Sequence, residues 1–353
     1  MKSKASQKKI PVVDLFSGCG GLSFGLRDAG FEVVLGVDNW QDALDTFVKN
    51  HPGAKIYNAD LSKERPAEIC NKFGIKRGEI EVVVGGPPCQ GFSISGKRNP
   101  DDPRNKLYKS FVDFVAYLKP KAFIMENVPN LVSMQGGKIR DKIISDFSEH
   151  KYRVEWKILD ASDFGVPQKR RRVFFVGLLG ETAFEFPAEK IVKPITAAEA
   201  ISDLPEESVS GGHGYLTDPE NDYQKEIRRG SNVLYNHEII VHTEKTRGII
   251  AMVPDGGNYK NLPKKLWDTR KVNIAWTRLN SKKPSYTIDT GHNHIFHYKY
   301  NRVPTARESA RIQSFPDTFV FWGKNKASHL KQVGNAVPPK LAAAIGKKLL
   351  KYI

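Results

Sequence analysis

The sequence predicts a doubly wound α/β fold with a mostly parallel sheet, joined to a smaller irregular domain. Three observations carry this. Short β-branched runs alternate with amphipathic stretches through the first half of the chain. A glycine-rich turn, Ser17-Gly18-Cys19-Gly20-Gly21, follows the first run, at the strand end where open α/β sheets keep their ligands. Near residue 184 the alternation stops, and the chain to about residue 300 is rich in Gly, Pro, Asn and charge.

The elements follow in order. Ile10–Phe16 is the first predicted strand, and Leu22–Ala29 is a helix closed by Gly30. Phe31–Asp38, Lys55–Asp60, Glu81–Gly85, Lys121–Glu126, Arg153–Leu159 and Arg172–Leu178 are the further strands. Gln41–Asn50, Leu107–Leu118 and Ile139–His150 are helices between them. Strands separated by helices imply parallel pairing with right-handed crossovers. Leu341–Tyr352 is an amphipathic helix expected to pack back on the sheet. A chain of 353 residues exceeds what one core normally fills. The expected division is 1–183 plus 318–353 as one domain and 184–317 as the other.

Composition narrows the function. Lys plus Arg exceed Asp plus Glu by 55 − 39 = 16, which favours a polyanionic partner, nucleic acid first. The three cysteines, Cys19, Cys70 and Cys89, form no C-x-x-C, which argues against a disulfide framework and a cysteine zinc site and fits a reducing compartment. No apolar run approaches the length of a membrane span. The basic, polar start, Met1–Lys9, lacks the apolar core of a signal peptide and is expected to be a frayed tail.

Cys89 is the most informative residue. It ends Gly85-Gly86-Pro87-Pro88-Cys89, directly after a buried-type strand, so a stiff loop presents a thiol at a strand's carboxyl end. A lone cysteine is ordinarily a small buried hydrophobe, but this setting favours a nucleophile. Gly18 and Gly20 allow a ligand to approach the backbone closely. Asp38, at the end of the second strand, can hold ribose hydroxyls, and Asp60 can meet an adenine amine. The spacing is not G-x-G-x-x-G, which favours a nucleoside cofactor over a dinucleotide. Glu126 ends its strand on the same edge as Cys89. In Gln168-Lys169-Arg170-Arg171-Arg172, alternation would place Arg170 and Arg172 on one face. His292, His294 and His297 lie close in sequence. Only two of them would share a strand face, so they are expected to pack or touch nucleic acid rather than bind a metal.

Together these blocks resemble the DNA cytosine-5 methyltransferases of bacterial restriction-modification systems. The resemblance rests on Asp14–Gly21, Gly86–Ser93, Glu126-Asn127-Val128, Gln168-x-Arg170-x-Arg172, Arg307–Asp317 and Gly334–Pro339, six blocks in the family's order. It implies a Rossmann-like methyltransferase sheet, S-adenosylmethionine as methyl donor and double-stranded DNA as substrate. It further implies a monomer in the bacterial cytoplasm, bound to the nucleoid through DNA, with a cognate restriction endonuclease acting separately. By the same resemblance Cys89, Glu126, Arg170 and Arg172 are catalytic. Phe16, Gly18, Gly20, Asp38, Asn39, Asp60, Leu61, Pro87, Leu107, Asn335 and Val337 line the cofactor pocket. Asn39 departs from the bulky apolar residue often found there, and Trp40 is the alternative stacking partner. Gln90, Ser93, Ser95, Arg98 and Thr287 meet DNA. Residues 184–317 become the target-recognition domain and hinge.

Rival readings fit less well. A transfer-RNA methylase on the same scaffold carries a further Cys-Phe-Thr signature, and no cysteine follows Cys89. Methylases of exocyclic amines place an aromatic residue where Cys89 stands. A DNA-binding module without activity would not need Cys89, Glu126 and Arg172 together. A nicotinamide dehydrogenase is disfavoured by the glycine spacing.

Overall fold

The computed structural model describes residues 9–88, 105–188, 193–209, 211–269, 276–289 and 295–353. The chain divides into two compact units, one of residues 1–159, 171–188 and 342–353, the other of residues 160–170 and 189–341.

The first unit is a seven-stranded sheet. Its strands are β1 (Ile10–Leu15), β2 (Phe31–Asp38), β3 (Lys55–Asn58), β4 (Val82–Gly85), β5 (Ala122–Asn127), β6 (Tyr152–Asp160) and β7 (Arg171–Leu179), in the spatial order β3-β2-β1-β4-β5-β7-β6. Strands β1 to β5 pair in parallel. The helices are α1 (Gly21–Ala29), α2 (Gln41–Asn50), α3 (Pro66–Phe73), α4 (Asn105–Leu118) and α5 (Lys138–Ser148). The sequence reading left α3 out. Its cues are present but local: Pro66 opens it, the Glu68 carboxylate accepts from the Arg65 amide at 3.4 Å, and left-handed Gly74 ends it.

The order reverses between β1 and β4, so the loops that leave their carboxyl ends diverge and open a crevice there. Strand β7 departs from the parallel expectation and runs antiparallel to β5. No α-helix separates β6 from β7. Without a crossover the chain returns directly, and β7 inserts between β5 and β6.

Hydrocarbon fills this unit. Val83, Phe111, Phe123, Phe147 and Phe175 are fully buried in one cluster, each worth roughly 1.5–3 kcal/mol of transfer free energy. Phe123 stacks on Phe147 at 4.0 Å between ring centroids. Gly177 opposes Phe123 across β5 and β7, and a Cβ there would fall 2.0 Å from the ring, so only glycine fits. The last helix, α11 when the chain is counted through, spans Pro339–Leu349, and its part from residue 342 onward belongs to this unit. It packs on the sheet unit as expected: a Cβ on Gly346 would meet Leu26 at 2.8 Å.

The second unit holds short elements: α6 (Ala197–Ile201), β8 (His213–Gly214), α7 (Asp222–Ile227), β9 (Val233–Leu234), α8 (Glu244–Ala251), β10 (Thr277–Arg278), β11 (Ile295–Phe296), α9 (Ala306–Ile312) and α10 (Lys326–Asn335). All seven residues of α9 are buried, Arg307, Glu308 and Arg311 among them. Arg302 grips Glu308 at 2.7 and 2.8 Å. Arg311 bonds Asp317 at 2.7 Å and Asp203 at 2.5 Å. The expected boundaries kept 160–170 and 318–341 with the sheet; here they fall in the second unit. Side chains explain this. Gln168 bonds Gln313 at 2.7 Å, and Phe315, Phe319 and Phe321 form one aromatic cluster.

Candidate active site

The loop after β1 is built by glycine and one carboxylate. Phe16, Gly18 and Gly20 all adopt positive φ, at 56°, 52° and 89°. Gly20 admits no side chain, because a Cβ would lie 2.4 Å from His51 and 2.7 Å from Phe47. Gly18 faces open space, with nothing within 4 Å of the Cβ it lacks. Asp38 braces the loop from the end of β2: its Oδ2 accepts from the Gly18 amide at 2.9 Å and its Oδ1 from the Trp40 amide at 2.9 Å. Burial raises its pKa, against the opposing pull of those amides. With the Asn39 amide also bonded to it, the carboxylate keeps one of its roughly four acceptor sites for a ligand hydroxyl.

Behind the loop, Asp14 is buried and accepts from the Ser23 hydroxyl at 2.5 Å, tying β1 to α1. Burial pushes its pKa up to about 7. Burial likewise pushes the Cys19 thiol up to about 12, so Cys19 is an inert packing residue. Asn39 is exposed beside Asp38, and Leu61 is buried. Asp60 lies two residues beyond the end of β3. It accepts from the Ser62 hydroxyl at 2.7 Å and pairs with Lys63 at 3.1 Å, and the Ser62 bond is the main cause of its lowered pKa.

Across the crevice, β4 ends on Gly85, where a Cβ would strike the Leu15 carbonyl at 2.1 Å. Gly86 lies below Glu126, whose Oε2 would stand 3.1 Å from a Cβ there. The buried Asn127 amide donates to the Pro87 carbonyl at 2.8 Å while its own oxygen accepts from Val128 at 2.9 Å. Asn127 thus fastens the end of β5 to the Pro-Pro turn. It was quoted in a motif but not singled out, because an Asn after a strand-end acid carries no spacing signal of its own. The next residue, Cys89, lies outside the described residues, as do Gln90, Ser93, Ser95 and Arg98.

Glu126 and Arg172 meet. Arg172 Nε lies 2.9 Å from Glu126 Oε1, with the two side chains 15% and 13% exposed. Strand direction brings this about. Glu126 pairs with Phe174 in the antiparallel register, so Arg172 is its diagonal neighbour on the same face. Because β7 runs against β5, its first residues reach the edge where β5 ends.

Arg170 belongs to the second unit. Strand β7 begins at Arg171, so the alternation expected to align Arg170 with Arg172 does not extend that far. Arg170 is buried, and its guanidinium donates to the Gly334 carbonyl at 2.7 Å and the Ile288 carbonyl at 3.1 Å. It serves as an anchor within the second unit. Thr287 is exposed there and donates to the Lys169 carbonyl at 2.8 Å. Asn335 is the exposed last residue of α10, and Val337 is buried. Leu107, partly buried, sits in the first turn of α4.

His297 is buried between Tyr298 and Tyr300, each ring at 4.5 Å, and its Nδ1 accepts from the Lys299 and Tyr300 amides at 3.0 and 3.1 Å. His292 and His294 lie outside the described residues. Among the described residues no group of three His, Cys, Asp or Glu is placed to hold a metal ion. No described helix is long and apolar enough to cross a membrane.

The family model described as C-5 cytosine-specific DNA methylase matches residues 10–351. Type II methyltransferase M.DdeI of Desulfomicrobium norvegicum is 37% identical over 371 residues, covering 97% of this chain and 88% of that protein. Type II methyltransferase M1.HphI of Haemophilus parahaemolyticus is 38% identical over 350 residues, covering 97% and 87%. Among solved structures, a DNA modification methyltransferase encoded within an E. coli prophage superposes with a TM-score of 0.80 at 29% identity, covering 97% of this chain and 99% of that one. A DNMT2 of Spodoptera frugiperda shares the fold, with a TM-score of 0.64 at 17% identity, covering 98% and 99%. The chain belongs to the C-5 cytosine-specific DNA methylase family.

Proposed function

We propose that the protein methylates carbon 5 of a cytosine in double-stranded DNA, using Cys89 as a covalent nucleophile and S-adenosylmethionine as the methyl donor. The observation that carries this reading is the Glu126–Arg172 pair, 2.9 Å apart, mostly buried and set over Gly86 just before the Pro-Pro-Cys turn.

Carbon 5 of cytosine is too weak a nucleophile to take a methyl unaided. Addition of the Cys89 thiolate to carbon 6 breaks the aromaticity and leaves an enamine that is nucleophilic at carbon 5. Negative charge builds on ring nitrogen 3 and oxygen 2 as the sulfur adds. Protonated Glu126 donates to the nitrogen, and Arg172 N–H groups donate to the oxygen. Once the methyl is in place, a base takes the carbon 5 proton, the carbon–sulfur bond breaks and the thiolate leaves. Arg170 donates to the Ile288 and Gly334 carbonyls, which suits an anchoring role in the second unit.

The sheet edge suits a nucleoside cofactor. Gly18 leaves open space at the loop, and Asp38 fixes that loop while keeping an acceptor site for a ribose hydroxyl. S-adenosylmethionine, when bound, would supply the methyl group from its sulfonium, the S–CH3 bond breaking as carbon 5 takes the methyl and leaving S-adenosylhomocysteine, a neutral thioether. Phe16, Gly20, Asn39, Asp60, Leu61, Pro87 and Leu107 are the other residues of this unit we assign to its pocket, with Asn335 and Val337 assigned from the family motif.

Stacking covers both faces of a base in a duplex, so the cytosine must be extruded, at a cost of a few kcal/mol. We assign Gln90, Ser93, Ser95, Arg98 and Thr287 to the DNA contacts and the second unit to target recognition. By this reading the protein acts as a monomer in the bacterial cytoplasm and protects DNA from a separate restriction endonuclease. Incubation with labelled S-adenosylmethionine and mixed-sequence duplex DNA, followed by bisulfite mapping, tests the reading. Modified cytosines in one short sequence context are expected; label confined to exocyclic amines or to RNA would overturn it.

A further inference from the structure

We infer that Asp146 is a positioning residue that fixes the first turn of α4, and with it Leu107, at the cofactor pocket. The inference rests on the proposed function, through the assignment of Leu107 to that pocket.

Helix α4 begins in an electrostatically awkward way. Its first turn carries no acid, and Lys109 brings positive charge near the positive end of the helix dipole. Helix α5 supplies a negative charge there. Asp146 is 3% exposed and receives Lys109 Nζ at 2.6 Å, Lys142 Nζ at 2.5 Å and the Tyr108 hydroxyl. Burial alone would favour its neutral form, but the bonds from Lys109, Lys142 and Tyr108 outweigh it and hold the carboxyl below the usual range. One turn further along α4, Phe111 packs at the end of β4, 3.1 Å from where a Cβ on Gly85 would stand. The start of α4 is therefore fastened to α5 on one side and to β4 on the other. Leu107 immediately precedes the tyrosine that Asp146 holds. A carboxylate with three donors is directional, which a purely apolar helix contact is not.

The test uses the full chain. Tyr108→Phe keeps the ring and removes only the hydroxyl, so it is the variant chosen to fold; Asp146→Asn and Asp146→Glu accompany it. For each, kcat, KM for S-adenosylmethionine, KM for DNA and the thermal midpoint are measured. For Tyr108→Phe and Asp146→Asn, KM for S-adenosylmethionine is expected to rise about three- to tenfold, with kcat within about twofold and KM for DNA unchanged, and Asp146→Glu should recover part of the loss. A lowered thermal midpoint with an unchanged KM for S-adenosylmethionine would overturn the inference and leave Asp146 a structural residue. Leu107→Ala separates the two levels. If it weakens S-adenosylmethionine binding while Tyr108→Phe and Asp146→Asn do not, the inference alone fails; if it has no effect, the pocket assignment itself fails.

Discussion

The two units bury different things. The sheet unit fills its interior with Phe, Val, Leu and Ile, and its chemistry sits at the strand ends. The second unit buries Arg170, Arg278, Arg302, Arg307 and Arg311. The difference follows from the backbone. A regular sheet pairs its own N–H and C=O groups and can afford a hydrocarbon core, whereas an irregular chain leaves carbonyls that need donors. Arginine offers five N–H groups in a rigid fork. Arg307 serves the carbonyls of Tyr235, Pro316 and Phe319, and Arg278 serves those of Ile250 and His297. Their charges are then met by Asp203, Glu308 and Asp317 or spread over carbonyl dipoles. Both units pack apolar clusters, and the second adds to its packing a hydrogen-bonded ionic lattice.

Substitutions that touch one unit and spare the other sharpen this contrast. The largest effect is expected at the sheet edge: Glu126→Gln should lower kcat by about 10²–10⁴-fold without loss of fold or of S-adenosylmethionine binding. Turnover within about threefold of the parent would break the assignment of chemistry to that edge. Next, Arg311→Met removes one partner from Asp203 and Asp317 and should destabilise the protein by about 3–5 kcal/mol in denaturant titration. A loss below about 1 kcal/mol would show that the buried lattice is not what holds the second unit.

Acid should act more gently and unevenly. Burial works against the charged form of Glu308, but His297, once protonated, and the Arg302 guanidinium hold its carboxyl down at about 2. A depressed carboxyl contributes stability above its unfolded pKa of about 4.5 and loses it as pH falls through the folded value. His297 is pushed down to about 4 by burial, so its penalty begins as pH drops below about 6.5. Asp14, raised to about 7 by burial, acts in the opposite sense, since it stays protonated in the folded state while the unfolded carboxyl ionises. His51, lowered to about 4 by burial, behaves as His297 does. Amide protection, corrected for intrinsic rate, should therefore fall first in the second unit between about pH 5 and 3. Loss that begins in β1–β5 would contradict the contrast.

Legibility in the sequence tracks the same division. Strand-end residues such as Asp38 and Glu126 were readable, because β-branched runs fix where a parallel strand stops and ligands gather there. The partnership of Glu126 with Arg172 depended on strand direction, which a run of apolar residues does not encode. The expected alignment of Arg170 with Arg172 extended a period of two one residue too far, past the start of β7. Arg307 and Arg311 stand in a segment that would pass for an exposed charged helix, since charges are rarely buried; only three-dimensional contacts show otherwise. Asp146 was illegible for a related reason, being one acid among several on an amphipathic helix.

The central claim is that a single thiol, Cys89, bonds to carbon 6 of an extruded cytosine. A duplex containing the target sequence with 5-fluorocytosine at the methylated position blocks the last step, because fluorine cannot leave as the proton does. Incubated with S-adenosylmethionine, the parent protein should form a denaturation-stable complex whose cross-linked peptide maps to Cys89, and Cys89→Ala should form none. A complex that persists in Cys89→Ala, or none in the active parent protein, would contradict the account.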